Sequence, residues 1–284
     1  MKNSYTFNAF ANKIRDYNLI SVTNCYVVQT CEIFNKDHCK YIFLAGINGK
    51  KSLSKAFAAL EENSNFTFSN FMRNCLIEFT FGHEFQHILQ LNSDSCSSSY
   101  AFGENNCDSE YSIKKHAWEF DADRFGAFEV LKYSFNVYRG LKVDNTELLK
   151  CLIYPEVASL VITRLLFYLN IVEKTNIIKI QELYTNKFSH PHPFVRIINI
   201  IDFTVNCCQD DFAALSITFQ DMLNYTLKIS KLFFKSYIPE QNPLESFFEM
   251  LDVNVVNHYN HELYEFAIND NAIRSLLLRR NINF

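Results

Sequence analysis

His83-Glu84-Phe85-Gln86-His87 reads H-E-x-x-H, and the surrounding window, residues 70–91, carries Phe71, Cys75, Leu76, Phe79, Phe85 and Leu89 at helical spacings. No other feature constrains the fold as strongly. On a helix, positions i and i+4 stack on one face, so both imidazoles reach toward one point while Glu84 rides beside them. Two neutral nitrogen donors next to a carboxylate base suit a metal ion with an open coordination position, zinc above all. Such a helix is expected to be buried, because ligands on a rigid, packed element hold a metal geometry best.

A metal of this kind needs a third protein ligand. The segment Glu119-Phe120-Asp121-Ala122-Asp123 lies in a second expected helix, residues 113–133. Glu119 and Asp123, four apart, share a face, whereas Asp121 points elsewhere. Glu119 would complete a His83/His87/Glu119 site for one zinc ion, and Asp123 would accept the free ring N–H of a ligand histidine. Residues 92–112, between the two helices, form a Ser-, Asn- and Cys-rich stretch expected to be a loop. Its length keeps His116, three residues before Glu119, as an alternative third ligand.

Farther along, Ser189-His190-Pro191-His192-Pro193-Phe194-Val195-Arg196 reads as a proline-stiffened turn entering a helix. Taken together, H-E-x-x-H, E-x-x-A-D-x-x-x-A (Glu119, Ala122, Asp123, Ala127) and H-P-x-x-x-x-R (His190, Pro191, Arg196) resemble the signature of the zinc peptidases that include the CAAX prenyl protease and the HtpX heat-shock protease. The smaller, soluble Lit-like phage-exclusion peptidases resemble it more closely. The likeness covers roughly residues 20–205, strong in the motifs and weak between them.

That resemblance implies an α+β, zincin-like fold, with a small N-terminal sheet on the active-site helix and a mostly helical remainder. It implies zinc held by His83, His87 and Glu119, Glu84 as general base, and Asp123 as the carboxylate that orients a ligand. His190 and Arg196 would line the site, His190 as a donor to the developing oxyanion. The implied activity is hydrolysis of a peptide bond in a cytosolic protein, in a phage-exclusion or host-inactivating role. Two other readings stay open: an ImmA/IrrE-type repressor-cleaving peptidase, and a catalytically silent, zinc-stabilised binding protein. The H-P-x-x-x-x-R segment argues against the first, and the presence of Glu84 beside the ligands argues against the second.

Composition narrows the remaining classes. At 284 residues with 48% hydrophobic and 20% charged residues, the chain is expected to be a soluble globular protein. A net charge of −4 gives no electrostatic footprint for nucleic acid. Nine scattered cysteines without a C-x-x-C pair argue against a structural zinc cluster and for free thiols in a reducing, cytoplasmic setting. Residues 157–172 are the most apolar run, but Arg164 interrupts it and it is too short to span a bilayer, so no membrane association is expected. The expected partner is a protein or peptide substrate, and nothing in the chain fixes an oligomeric state.

The chain is expected to divide into a strand-rich N-terminal lobe (1–66), a catalytic core (67–210) and a helical extension (211–284), together one compact unit. Residues 5–17 read as a helix, and 19–34 and 40–47, rich in Val, Ile, Tyr and Cys, read as strands closed by an Asn48-Gly49 turn. One strand within 26–47 would then serve either as an edge on which a substrate adds itself or as a lid over the site. Helices are expected over 53–63, 148–173, 193–203, 212–237 and 244–278, with His258 and His261 on a surface face.

Overall fold

An antiparallel hairpin, β1 (Ala9–Ile14) and β2 (Tyr17–Val22), pairs Ala9 with Val22 and Ile14 with Tyr17. A short β3 (Ala101–Gly103) pairs with the other side of β1, giving the order β2-β1-β3. Nine helices follow or intervene among the described residues: α1 (Asn24–Ile33), α2 (His38–Gly46), α3 (Lys51–Glu61), α4 (Phe68–Ser93), α5 (Ile113–Gly140), α6 (Thr146–Leu169), α7 (Pro193–Asp211), α8 (Phe219–Tyr237) and α9 (Val253–Asn269). The structure, a computed structural model, describes residues 8–14, 17–34, 38–47, 50–63, 66–93, 101–103, 110–169, 182–237 and 248–274. The architecture is therefore mostly helical, with a small N-terminal sheet packed against α4. One hydrophobic cluster, running in sequence from Ala9 to Leu263, draws on all three stretches of the chain.

At the crossing of α4 and α5 the two backbones approach closely. A Cβ built on Gly82 would lie 3.1 Å from the Gly126 Cα, and one on Gly126 would lie 2.9 Å from the Phe79 carbonyl oxygen. Glycine inside a helix costs about 1 kcal/mol relative to alanine, so this pair is a concession to close approach. Gly82 immediately precedes His83, and Gly126 lies one turn beyond Asp123. The contact therefore sets how near the two motif-bearing faces come.

Several elements differ from the sequence reading. Residues 19–34 are not one strand: β2 ends at Val22, and Thr23 caps α1, its hydroxyl accepting the Tyr26 N–H at 3.2 Å. Tyr26, Thr30 and Ile33 are buried, a helical rather than an alternating period. Likewise 40–46 falls in α2, burying Ile42 and Phe43, and Ile47 is buried just past its end. Strand propensity was outweighed by burial of a helical face. The reverse holds at residues 9–14, where Ala9 and Ala11 are buried at period two and form β1 instead of a helix. No substrate-binding edge therefore lies within 26–47; among the described residues the sheet edges are β2 and β3. The Asn48-Gly49 turn, Cys96 and Cys107 lie outside the described residues, as does most of 92–112, although β3 falls within that stretch. Residues 212–237 are interrupted by a short 3-10 turn (Ala213–Leu215) and by Ser216 at φ 49°, and α8 begins at Phe219. Phe85, expected in the core, is 46% exposed and packs on Phe125 at the surface. Among the described side chains, Cys25, Cys31, Cys75, Cys151, Cys207 and Cys208 are free thiols.

α6 begins earlier than the apolar run suggested, and over Thr146–Tyr168 it is long and apolar enough to cross a membrane. Here 94% of that window is buried within the protein. Two charges ride on this buried helix. Arg164 reaches the motif residues, as described below. Glu156 is fully buried beside the Ser134 hydroxyl. Burial pushes its carboxyl up to about 8, an effect the neighbouring Ser134 offsets only in part.

The folded form therefore keeps a proton that the unfolded chain loses near pH 4.5. Stability from this group is full below pH 4.5 and is lost as pH rises toward about 8, by up to about 1.4 kcal/mol per pH unit. Thermal unfolding followed from pH 5 to 8 is expected to show Glu156→Gln gaining on the native chain as pH rises. Parallel pH profiles for the two proteins would refute a proton held at Glu156.

Candidate metal centre

His83 and His87 sit on the face of α4 that meets α5, both about 1% exposed, and their Nε2 atoms are 3.0 Å apart. Glu119, on α5, brings one carboxylate oxygen to 3.3 Å from each: Oε2 faces His83 Nε2 and Oε1 faces His87 Nε2. The potential ligand atoms of these three residues all lie within 4.8 Å of one another, so the triad forms a buried group able to hold a metal ion. Ligand atoms placed about 2.0–2.1 Å from a tetrahedral zinc stand roughly 3.3 Å from one another. The observed spacings of 3.0, 3.3 and 3.3 Å are close to that value, with a different Glu119 oxygen facing each imidazole.

Each imidazole is oriented through its other nitrogen. His83 Nδ1 lies 3.1 Å from Asp123 Oδ1. His87 Nδ1 lies 2.8 Å from Gln90 Oε1, and the Gln90 amide donates in turn to Asp121 Oδ2 at 2.8 Å and to the Trp118 carbonyl at 3.0 Å. Because Gln90 Nε2 is committed as a donor, its Oε1 must accept, and the proton belongs on His87 Nδ1. Both Nε2 lone pairs are thereby aimed at the same point. An oxygen acceptor behind a ligand histidine also raises its basicity toward a metal.

Arg196, on α7, closes the arrangement. Its Nε and Nη2 grip Asp123 Oδ2 and Oδ1 at 2.7 and 2.8 Å, and Nη2 also stands 3.0 Å from Glu119 Oε2. Burial alone would raise the Glu119 and Asp123 carboxyls. Arg196 outweighs it, aided by His190 and His87 at Glu119 and by His83 and Arg164 at Asp123, and both carboxyls fall below the usual range. His190 Nε2 stands 3.3 Å from Glu119 Oε1, and its ring is 16% exposed, so it lies at the open side of the centre. The left-handed backbone at Phe188 (φ 59°) turns the chain just before it. His192 instead serves the fold, its Nδ1 accepting the Phe194 N–H at 3.2 Å to cap α7, where Pro193 takes the first helical position. Glu84, 2% exposed, follows His83 on the same helix.

His116 does not take the third-ligand place. Its Nε2 donates to the Phe188 carbonyl at 3.1 Å, which leaves Nδ1 to accept from the Tyr259 hydroxyl at 2.8 Å. Burial lowers its pKa to about 4, so it stays neutral and braces α5 against α9 and the His190 turn. Asp121 faces away from Glu119 and Asp123, as its helical position requires, yet it reaches His87 through Gln90. Two participants were not singled out beforehand. Gln90 lies three residues beyond His87, a spacing that would have placed it on the same face. Arg164, 2% exposed, brings Nη1 to 3.8 Å from Asp123 Oδ1 and stacks over Phe79 and Phe167. The signal was the lone charge in an apolar helix, which folding must pair.

Compared with protein-family models, with curated proteins and with solved structures, the chain matches none.

Two outcomes test the geometry. Asp123→Asn is expected to weaken zinc affinity on the order of 10–100-fold, read by competition with a chromogenic chelator. Gly126→Ala drives a methyl into Phe79, so it is expected to cost about 1–3 kcal/mol of stability and to loosen the metal as α4 and α5 separate. An alanine variant with native unfolding temperature and native zinc affinity would contradict the role given to the crossing.

Proposed function

We propose that the protein is a zinc-dependent endopeptidase with a single metal ion, of the zincin type that the three motifs resemble. The carrying observation is the meeting of His83 Nε2, His87 Nε2 and the Glu119 carboxylate at ligand spacing, with Glu84 one residue from the first of them. Zinc, when bound, supplies a Lewis acid for the scissile carbonyl and makes an attacking water acidic enough to react near neutral pH.

The rest of the chemistry belongs to the chain. Glu84 takes the proton of the attacking water and delivers it to the departing amine nitrogen, a transfer that serves both bond formation and bond cleavage. His190, at the exposed side of the centre, donates to the carbonyl oxygen as charge develops there, worth typically a few kcal/mol in such contacts. Asp123 and Gln90 keep the imidazoles in the tautomer that presents Nε2. Arg196 keeps Glu119 ionised and ready to ligate. The substrate in this reading is a cytosolic protein cut at an internal bond, in a phage-exclusion or host-inactivating role.

Glu84→Gln preserves the shape of the side chain and removes the base. Its zinc content is expected to stay near that of the native protein while cleavage falls about 10²–10⁴-fold. New protein termini mapped in cells expressing either form supply the measurement. Termini that appear equally with both forms would remove Glu84 from the reaction. Termini with neither form, at full zinc content, would favour a zinc-stabilised binding protein.

A further inference from the structure

Between α5, α7 and α9 lies a polar concavity of about 500 Å³, with Arg124, Asn199 and Asn260 in its lining. Arg124 forms its inner wall. The guanidinium is held rather than floating: Nε donates to Asn199 Oδ1 at 2.8 Å, and the Phe120, Phe203 and Tyr264 rings surround it with centroids at 4.3, 5.6 and 5.6 Å. Asn199 is fixed in turn, its amide donating to the Phe120 carbonyl at 3.0 Å. Among the described residues, neither Nη1 nor Nη2 makes a hydrogen bond, and the nearest carboxylate oxygen, Asp202 Oδ2, is 3.8 Å from Nη2. A preset planar fork whose two outer nitrogens make no hydrogen bond, one of them facing Asp202 at ion-pair distance, is an arrangement that can read a carboxylate in bidentate fashion.

The opposite polarity lies alongside. Asp202, half exposed, receives the Asn206 amide at 3.3 Å and keeps acceptor capacity toward the cavity. Asn260, on α9, donates to the Val195 carbonyl at 3.1 Å, which fixes its orientation. Its Oδ1 is buried and, among the described residues, has no hydrogen-bond partner. An amide oxygen shut away from water costs about 1–3 kcal/mol unless something donates to it. Ile198 and Phe219 add apolar surface to the same cavity. A bidentate donor 3.8 Å from an acid and a nearby apolar wall match one small molecule part by part. They match its carboxylate, its ammonium and its side chain, in a volume within the range usual for small-ligand sites.

We propose that this cavity binds a free α-amino acid with an apolar side chain, its carboxylate on Arg124 and its ammonium on Asp202. The proposal does not depend on the zinc reading. Its location gives it a bearing on that centre all the same, since Arg124 adjoins Asp123 and Asn199 follows Arg196 by one turn of α7.

Thermal unfolding of the full chain with each of the twenty free amino acids, confirmed by calorimetric titration, is the test. One or more apolar amino acids are expected to raise the midpoint saturably by about 2–4 °C. Asp202→Asn and Arg124→Gln are each expected to weaken that binding at least about tenfold. Arg124 is packed among rings, so Asp202→Asn at its half-exposed position decides the matter should the arginine variant misfold. Inorganic phosphate, and the amine and the carboxylic acid that each keep one half of the ligand, should produce no comparable shift. A response to phosphate or to the carboxylic acid alone would make this a general anion site and overturn the proposal. Silence with every amino acid would overturn it as well.

Discussion

The approach of α4 to α5 at Gly82 and Gly126 is the contact on which the rest depends. Two imidazoles on one helix converge by helical geometry alone, since four residues nearly complete a turn. A third donor from another helix converges only if the axes come close at that level. Removing both side chains at the crossing achieves it, and Phe79 fills the space beside the glycines. The apolar cluster that surrounds α4 and α5 then holds the crossing in place. Energy that two helical glycines forfeit is recovered as packing elsewhere along the interface.

Close approach creates an electrostatic problem, which α6 and α7 answer. Glu84, Glu119 and Asp123 are nearly inaccessible to water, and ionised carboxylates in such a setting are costly unless paired. Arg196 bridges two of the three, and Arg164 approaches Asp123 from the opposite helix. The two guanidiniums leave one negative charge uncompensated among these five groups. A divalent cation held by His83, His87 and Glu119 would reverse that balance to one positive charge. The same arginines that let the acids be buried also keep them ionised, so they remain available as ligand and as orienting acceptor.

Much of this was legible in the residues. The H-E-x-x-H spacing, the Glu119/Asp123 face and the H-P-x-x-x-x-R turn each name groups that the fold brings together within a few ångströms. Local periodicity set each shared helix face, because each motif lies on a single helix or at its start, while the parts given to His190 and Arg196 came from the family resemblance. The N-terminal region was misread for a matching reason. In residues 19–47 the β-branched and aromatic content suits a strand, while the positions actually buried, Tyr26, Thr30 and Ile33, follow a helical period. Composition and period disagreed, and tertiary burial decided for the period. His116 was ambiguous by spacing alone. Only the long-range partners Phe188 and Tyr259 remove it from the ligand set.

His190 and His192 show how far a motif can be read before geometry must take over. Both belong to one turn and both neighbour proline, so spacing alone does not separate them. Capping separates them. Pro193 occupies the first position of α7, so the residue before it is the cap, and the His192 ring is drawn back to accept the Phe194 N–H. That commitment buries His192 among Tyr168, Tyr184 and Phe194, away from the carboxylates. His190, two residues earlier and not bound to the helix end, is left to face Glu119 with its ring still open to solvent. The proline that starts the helix thus selects which histidine is structural and which stands at the mouth of the metal centre.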